Sequence, residues 1–218
     1  MSRLARIRRR LLTLGRDTSG AALLEFAFTL PLVLTMGLTG AEITNYIITK
    51  MRISQIALHL ADNAARIGSG SQLQAKTISE TDINDLLTGA QLQSGELDLK
   101  TNGRVILSDL EPTSSGATTY KIGWQRCYGN KTAHASTYGV YNQSSGKNMT
   151  GMGPSGRQTI APDGGAAMFV EVYYEYKPLI KTSLSPDSSM VEIASMMVRD
   201  RRDLSQIYNA EGATKATC

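Results

Sequence analysis

The sequence predicts an α+β protein in which a long N-terminal transmembrane helix continues into a domain built on an antiparallel sheet. Three observations predict this class. An apolar run extends from Gly20 to Ala41, an amphipathic helical pattern follows it without a break, and segments of alternating polarity fill much of the remaining chain. Helices and antiparallel strands that occupy separate parts of a chain are typical of α+β domains.

Positive charge is concentrated at the N-terminus. The chain has 218 residues and a formal net charge of +4. The first nineteen residues hold six arginines against Asp17, so this segment carries +5 and the remaining residues sum to −1. We therefore interpret residues 1–20 as a basic leader that stays in the cytoplasm, with everything after about residue 42 on the opposite side of the membrane. The near-neutral remainder argues against nucleic-acid binding.

The first predicted element is a transmembrane helix over residues 21–42. About 20 apolar residues are enough to cross a bilayer. Pro31 is the only proline in this run, and it predicts a kink. Glu25 is the only ionisable residue there, and a lone carboxylate costs several kcal/mol unless it is paired or near the interface. The position of Glu25 alone offers one explanation: its side chain can reach the cytoplasmic headgroup layer and pair with Arg16 there.

The helix is predicted to continue over residues 43–67 as an amphipathic extension. Apolar residues recur at helical spacing along this segment: Ile53, Ile56, Ala57, Leu60, Ala64 and Ile67. The glycines at 68–70 end the pattern. The sequence therefore favours one helix from Ala21 to Ile67, about 70 Å long. Two helices broken near Gly37 or Gly40 are the alternative.

Residues 68–218 are predicted to form the α+β domain. A capping box from Ser79 to Asp82 opens a short helix over 79–93. Alternation on both sides of Asn102-Gly103 predicts a hairpin over 96–110. Further strands are predicted over 118–128, 168–180 and 190–201. In the second of these, one face is assigned to Val170, Val172, Tyr174 and Tyr176, and the other to Glu171, Tyr173, Glu175 and Lys177.

Residues 129–165 show no hydrophobic period. The segment is rich in Gly, Ser, Asn and Thr, and loops of this length are usually functional or disordered. It is predicted to be a long flexible loop and a candidate partner surface.

The chain has two cysteines, Cys127 and Cys218. In a domain outside the cytoplasm, an even pair predicts one disulfide, which closes a loop of about 90 residues and contributes about 4 kcal/mol in the chain-entropy model. Two free thiols are the alternative.

The composition gives little support to catalysis. The only histidines are His59, beside the apolar stripe of the helix, and His134, in the long loop. The common zinc, thiol-redox, phosphate-loop and GxSxG motifs are absent. Scattered serines leave a Ser-His-Asp triad open, but we expect no enzyme activity, no metal, no cofactor and no small-molecule substrate.

The stretch around Glu25 resembles the processing site of prepilin-like proteins. A basic leader precedes Gly20, and "AALLEF" then opens a long apolar helix with an early proline. The resemblance implies cleavage by a prepilin peptidase between Gly20 and Ala21. It also implies that Glu25, the fifth residue of the processed chain, pairs with the N-terminal amine of a neighbouring subunit. Such a pair satisfies both buried charges and can fix the register between helices.

A closer resemblance is to the TadE-like minor pseudopilins of the Tad (tight adherence, Flp pilus) system. It is carried by "GAALLEFAFTLPLVL", by the helix that continues past the membrane, and by the strand "VEVYYEYKPLI". Phe26 stands where Flp-type motifs usually have Tyr. The resemblance implies a pilin-like fold, a place in the bacterial inner membrane with a periplasmic domain, and a structural role in pilus biogenesis and adherence. The implied partners are the peptidase and other pilins or pseudopilins.

Two other classes of protein fit parts of the sequence. In one, residues 1–41 are a secretory signal and the rest is a periplasmic binding domain; "RRRLL" at 8–12 faintly resembles a twin-arginine signal. In the other, the chain is an uncleaved single-span envelope protein. The mature N-terminus distinguishes the three: Ala21 for a pseudopilin, about Glu42 for a secreted protein, and Met1 for an uncleaved anchor.

Overall fold

One helix dominates the N-terminal part of the chain. The computed structural model describes residues 19–71, 74–181 and 185–218, so the predicted leader lies outside the described residues up to Thr18. Helix α1 runs over Ser19–Arg66, 48 residues, and continues through Gly37 and Gly40. The prediction of a single helix is therefore confirmed. Gly68 follows it with a φ of +117° and lies against the Thr77 carbonyl, so glycine is required at this exit.

The described residues form two compact units. One holds α1 up to Asn45 together with Pro178–Ser185, and the other holds Tyr46–Lys177 with Pro186–Cys218. In the second unit, the predicted apolar stripe of α1 enters the core: Ile53, Ile56, Ala57, Leu60 and Ala64 are buried, and Ile67 is partly buried. His59 is exposed beside this stripe.

Two short helices follow. Helix α2 runs over Glu80–Ser94 and begins with the predicted capping box. The amide of Asp82 donates to Ser79 Oγ at 3.1 Å, and the amide of Ser79 donates to Asp82 Oδ2 at 2.9 Å. Helix α3 is the single turn Leu99–Asn102, after the 3-10 turn Gly95–Leu97.

The predicted hairpin over 96–110 is wrong. The segment before Gly103 is helical because local side chains cap the backbone. Asp98, at a φ of 44°, accepts a hydrogen bond from the Thr101 amide, and the Asn102 side chain donates to the Leu97 carbonyl at 3.0 Å. These caps and the full burial of Leu99 outweigh the alternating pattern.

The sheet has four antiparallel strands in the order β2-β1-β3-β4. Their bounds are Gly103–Pro112 for β1, Tyr120–Tyr128 for β2, Ala167–Glu175 for β3 and Ser189–Met197 for β4. The strands predicted over 118–128, 168–180 and 190–201 are confirmed as β2, β3 and β4, with ends shifted by up to five residues. The register of β1 shifts between Asp109 and Leu110, opposite Gly123 on β2.

Each face of the sheet is covered by a different layer. On one face, Val170, Val172, Tyr174 and Tyr176 join the core formed with α1 and α2, as the alternation predicted. On the other face, a smaller core includes Phe169, Ile122 and Met152. Met152 belongs to the 129–165 segment, which has one 3-10 turn, Ser144–Gly146, and is otherwise irregular. This predicted loop is thus a packed layer of the domain.

The predicted disulfide is present between Cys127 and Cys218, 91 residues apart. It attaches Cys218 to β2, and the amide of Cys127 also donates to the Ala216 carbonyl at 2.7 Å. Asn84 on α2 donates to the Thr214 carbonyl at 2.8 Å. The C-terminal segment is therefore tied to both the sheet and α2.

Candidate functional site

The residues predicted to act in processing and pairing all lie in the first four turns of α1. Gly20, Ala21, Glu25, Phe26 and Pro31 are exposed, and nothing lies within 4 Å of the position where a side chain at Gly20 would begin. Ala21 and Glu25 are one helical turn apart, so they project from the same face. The structure thus places the predicted cleavage and pairing positions next to each other on an open surface.

The surroundings of these residues are apolar and exposed. Phe26 is 60% exposed. The other large exposed side chains of this stretch include Leu23, Leu24, Phe28, Leu32, Val33, Leu34 and Met36. Monomeric soluble proteins rarely expose apolar patches beyond a few hundred Å². The helix is long and apolar enough to cross a membrane.

Polar groups within this stretch are bonded inside the helix. The hydroxyls of Thr29 and Thr35 donate to the carbonyls of Glu25 and Pro31, at 2.7 Å and 2.6 Å. Such bonds leave few polar groups unsatisfied in an apolar medium. Pro31 has no amide hydrogen to donate, yet the helix continues through it. The predicted kink there stays a prediction.

Glu25 is the exception to this pattern. Among the described residues, no group forms a hydrogen bond or ion pair with its carboxylate. Arg16, the partner expected if Glu25 only reaches the headgroup layer, lies outside the described residues. An exposed carboxylate surrounded by apolar side chains is the one feature of the helix that calls for a specific partner.

Sequence reasoning missed Glu42. This residue is buried within the first unit, and its Oε2 accepts a hydrogen bond from the Ile180 amide at 3.1 Å. Ile180 belongs to the "KPLI" segment that follows β3. No local pattern links two residues so far apart in the chain.

A polar cavity of about 790 Å³ lies in the second unit, beside β2 and the C-terminal segment. Its wall includes the ion pair between Glu80 at the start of α2 and Arg126 on β2. Arg126 donates to Glu80 Oε2 from Nε at 2.9 Å and to Oε1 from Nη2 at 2.5 Å. Both residues are buried, so this bidentate pair joins α2 to the sheet.

Next to this pair, the carboxyl groups of Asp109 and Glu111 both lie against Gly123. Asp109 is fully buried, and neither of its oxygens has a hydrogen-bond partner among the described residues. Burial raises the pKa of Asp109 well above its usual value, and the charge of Glu111 raises it further. Arg202 and Lys121 partly oppose this shift.

Arg202 lines the same cavity and caps the C-terminal end of α1. Its Nη2 donates to the carbonyls of Ala64 and Ile67, at 3.2 Å and 2.8 Å. A cation at this position also interacts favourably with the helix dipole. Burial lowers the pKa of Arg202, and the charges of Asp109 and Asp200 oppose that shift. The two hydrogen bonds from Arg202 therefore tie the C-terminal segment to the end of α1.

We expect Asp109→Asn to stabilise the protein at neutral pH. A carboxyl group whose pKa is raised on folding contributes fully to the stability of the folded state below its unfolded pKa of 3.8, and this contribution is lost as the pH rises through the raised folded pKa. The variant should therefore gain about 1–3 kcal/mol at pH 7 and little at pH 3. Urea unfolding at both pH values measures this. Asp85→Asn, at an exposed position of α2, is the control, and a variant less stable than wild type at pH 7 would contradict the assignment.

His134 lies on the other face of the sheet. Its Nε2 is 3.1 Å from Glu171 Oε1, and its ring stacks on Tyr173. Ser136 donates to the same carboxylate at 2.8 Å, so the serine hydroxyl is not placed as a nucleophile on His134. These contacts hold the 129–165 segment against β3. In the described part of the chain, no group of three or more His, Cys, Asp or Glu side chains is placed to hold a metal ion.

Comparison with known proteins gives no relative for this chain: no family model, curated protein or solved structure matches it.

Proposed function

We propose that this chain is a minor pseudopilin of a Tad/Flp-type pilus, cut by a prepilin peptidase and acting structurally in pilus biogenesis and surface adherence. The observation that carries the proposal is the exposed apolar helix with a single carboxylate, Glu25, one turn after Ala21. The resemblance of "GAALLEFAFTLPLVL" to TadE-like proteins supports it. In this role the helix lies in the bacterial inner membrane and the sheet domain in the periplasm.

The chemistry of the helix suits assembly better than simple anchoring. Cleavage after Gly20 creates an α-amino group at Ala21, in the apolar part of the helix. An amine and a carboxylate in a medium of low dielectric each need an opposite charge. When Ala21 of one subunit meets Glu25 of another, both needs are met and the axial register of the two helices is set. The partners are thus pilins or pseudopilins of the same system.

The first test is the intact mass and N-terminal sequence of the protein from native membranes. We expect a chain that begins at Ala21, since removal of the first 20 of 218 residues leaves 198. A chain that begins at Met1 would instead show an uncleaved single-span protein, and one that begins near Glu42 a secreted periplasmic domain. Either outcome would overturn the proposal.

The second test is Glu25→Ala, with Glu25→Gln as the variant that keeps the shape and removes the charge. Both should still be cleaved and inserted, but their incorporation into assembled complexes should fall by about a hundredfold or more, because breaking a buried ion pair costs about 3–5 kcal/mol. Quantitative cross-linking to neighbouring subunits in membranes measures this.

Leu24→Ala is the matched control, because Leu24 is an exposed apolar neighbour on the same turn of the helix. It should assemble as well as wild type. Loss of membrane insertion in Glu25→Ala, with no separate loss of assembly, would show that Glu25 acts in topology and not in subunit pairing.

A further inference from the structure

The outer edge of β4 presents a row of backbone groups with no partner in the described part of the chain. Two hydrogen bonds fix which residues face outward. Tyr176 N donates to Ser188 O at 2.7 Å, and Val198 N donates to Ala166 O at 3.0 Å, so even-numbered residues of this strand bond to β3. The amides and carbonyls of the odd-numbered residues therefore point away from the sheet: Ser189, Val191, Ile193, Ser195 and Met197.

The opposite edge of the sheet is covered. On β2, Tyr120 exchanges two backbone hydrogen bonds with Met149, at 2.8 Å and 2.7 Å. The amide of Cys127 donates to Ala216. Proteins usually protect an edge in this way, or with lysine, proline or a bulge, because an open edge pairs with other strands.

Strand β4 has none of these protections. Its sequence, "SMVEIASMM", contains no proline, lysine or arginine. The only charge is Glu192, whose carboxylate lies on the α1 side of the sheet, 3.6 Å from Lys50 Nζ. Val191 is 40% exposed and Met197 49% exposed. A nine-residue edge of this composition is suited to pairing with another strand.

A groove of about 600 Å³ lies beside the same edge. Its apolar lining comes from Ile160, which is 47% exposed, with Pro162, Met197 and Val198, and its polar lining includes Gln158 and Arg199. Side chains that project from an added strand would find apolar surface there. The edge therefore offers both backbone hydrogen bonds and a place for side chains.

We propose that β4 pairs with β4 of a second copy of this chain, antiparallel and around a twofold axis at Ile193. In this register Ile193 faces Ile193, Val191 faces Ser195, and Ser189 faces Met197 of the other copy. All of these residues are odd-numbered, so each of these three pairs uses outward backbone groups, and the even-numbered residues between them face each other without exchanging hydrogen bonds. The two four-stranded sheets become one continuous eight-stranded sheet.

Charge selects this register over its neighbour. The dimer centred on Ile193 places Glu192 opposite Ala194 and pairs all nine residues of the strand. A shift of the axis to Glu192 would place two glutamates directly opposite each other, which is destabilising. The strand is thus self-complementary in the way that an isologous interface requires. The pairing needs neither cleavage at Gly20 nor a pilus.

Cysteine cross-linking of the full-length protein in detergent tests the register. Ile193→Cys should form an intermolecular disulfide under mild oxidation, because facing hydrogen-bonded residues have Cα atoms about 5.5 Å apart, within the range that a disulfide spans. Val191→Cys is the matched control. Its two copies would be about 13 Å apart and should not cross-link. The native cysteines are already paired.

Val191→Pro tests whether the edge itself holds the dimer. The Val191 amide points away from β3, so proline removes an outward donor while the β3–β4 ladder keeps its bonds. Sedimentation should show a dimer for wild type and a monomer for this variant. Leu92→Lys, at a highly exposed site on α2, should remain dimeric. Circular dichroism confirms that each variant is folded.

Each other outcome overturns the proposal. A wild type that is monomeric at every concentration has no such interface. A Val191→Pro variant that stays dimeric shows that α1 or another surface joins the copies. If Ile193→Cys and Val191→Cys cross-link equally, the copies meet by random contact. If Ile193→Cys forms no intermolecular disulfide, the proposed register is ruled out, even when Val191→Pro is unfolded and gives no answer.

Discussion

Replacing Arg126 with methionine is expected to lower the free energy of unfolding by about 3–5 kcal/mol, the usual cost of removing one partner from a buried ion pair. Glu80 is fully buried and would keep its carboxylate without a cation. The bidentate contact between α2 and β2 would be lost as well. Urea unfolding of the full-length protein, followed by circular dichroism, measures the change.

Two further variants make this result specific. The double variant Glu80→Leu with Arg126→Met should recover much of the loss, because a well-packed apolar pair often replaces a buried ion pair at little cost. Lys76→Met removes the exposed pair with Asp200, 2.6 Å apart, and should cost less than about 1 kcal/mol. Equal effects of Arg126→Met and Lys76→Met would show that the buried pair does not hold α2 to the sheet.

Loss of the Cys127–Cys218 disulfide is expected to have an effect of similar size. The bridge closes a loop of 91 residues, for which the chain-entropy model gives about 4–5 kcal/mol. Cys127→Ser should lower the stability by about this amount, and reductant should do the same to wild type. The measurement is thermal unfolding of both proteins with and without reductant.

The double variant Cys127→Ser with Cys218→Ser serves as the control, because reductant has no disulfide left to act on. Its melting temperature should match that of Cys127→Ser and stay unchanged when reductant is added. Hydrogen exchange should also become faster in residues 199–218, where the amide of Cys127 meets Ala216. If reductant destabilises the double variant as much as wild type, the disulfide is not the cause.

The sequence predicted correctly those elements for which one local pattern, such as a helical period or a capping box, is clear. The stripe containing Ile53 and Leu60 has a clear helical period and one buried face. The capping box of Ser79 needs only its own neighbours. The prediction of a hairpin was wrong at Asp98, because the Asp98 side chain stabilises a helical turn that an alternating pattern does not reveal. Each of these outcomes depended on contacts within a few residues.

The sheet order and the polar cavity could not be predicted in this way. Strand β1 is buried on both faces from Gly103 to Glu111, so its sequence does not show which side chains meet α1. Asp109 and Arg202 come together only after β1 and the C-terminal segment have packed.

The candidate site on α1 could be predicted from local spacing. Ala21 and Glu25 are neighbours on one helix, and their juxtaposition follows from spacing alone.

The irregular layer over the second face of the sheet offers a place to attach a reporter. Its core contacts come from a few residues such as Met152, whereas the turn from Pro154 to Arg157 is closed by one backbone hydrogen bond of 3.0 Å. Gly156 in that turn is exposed, with open space around it and a φ of +78°. A short epitope inserted there would leave the sequences of helix α1 and strand β4 unmodified, so the protein could be followed in living cells.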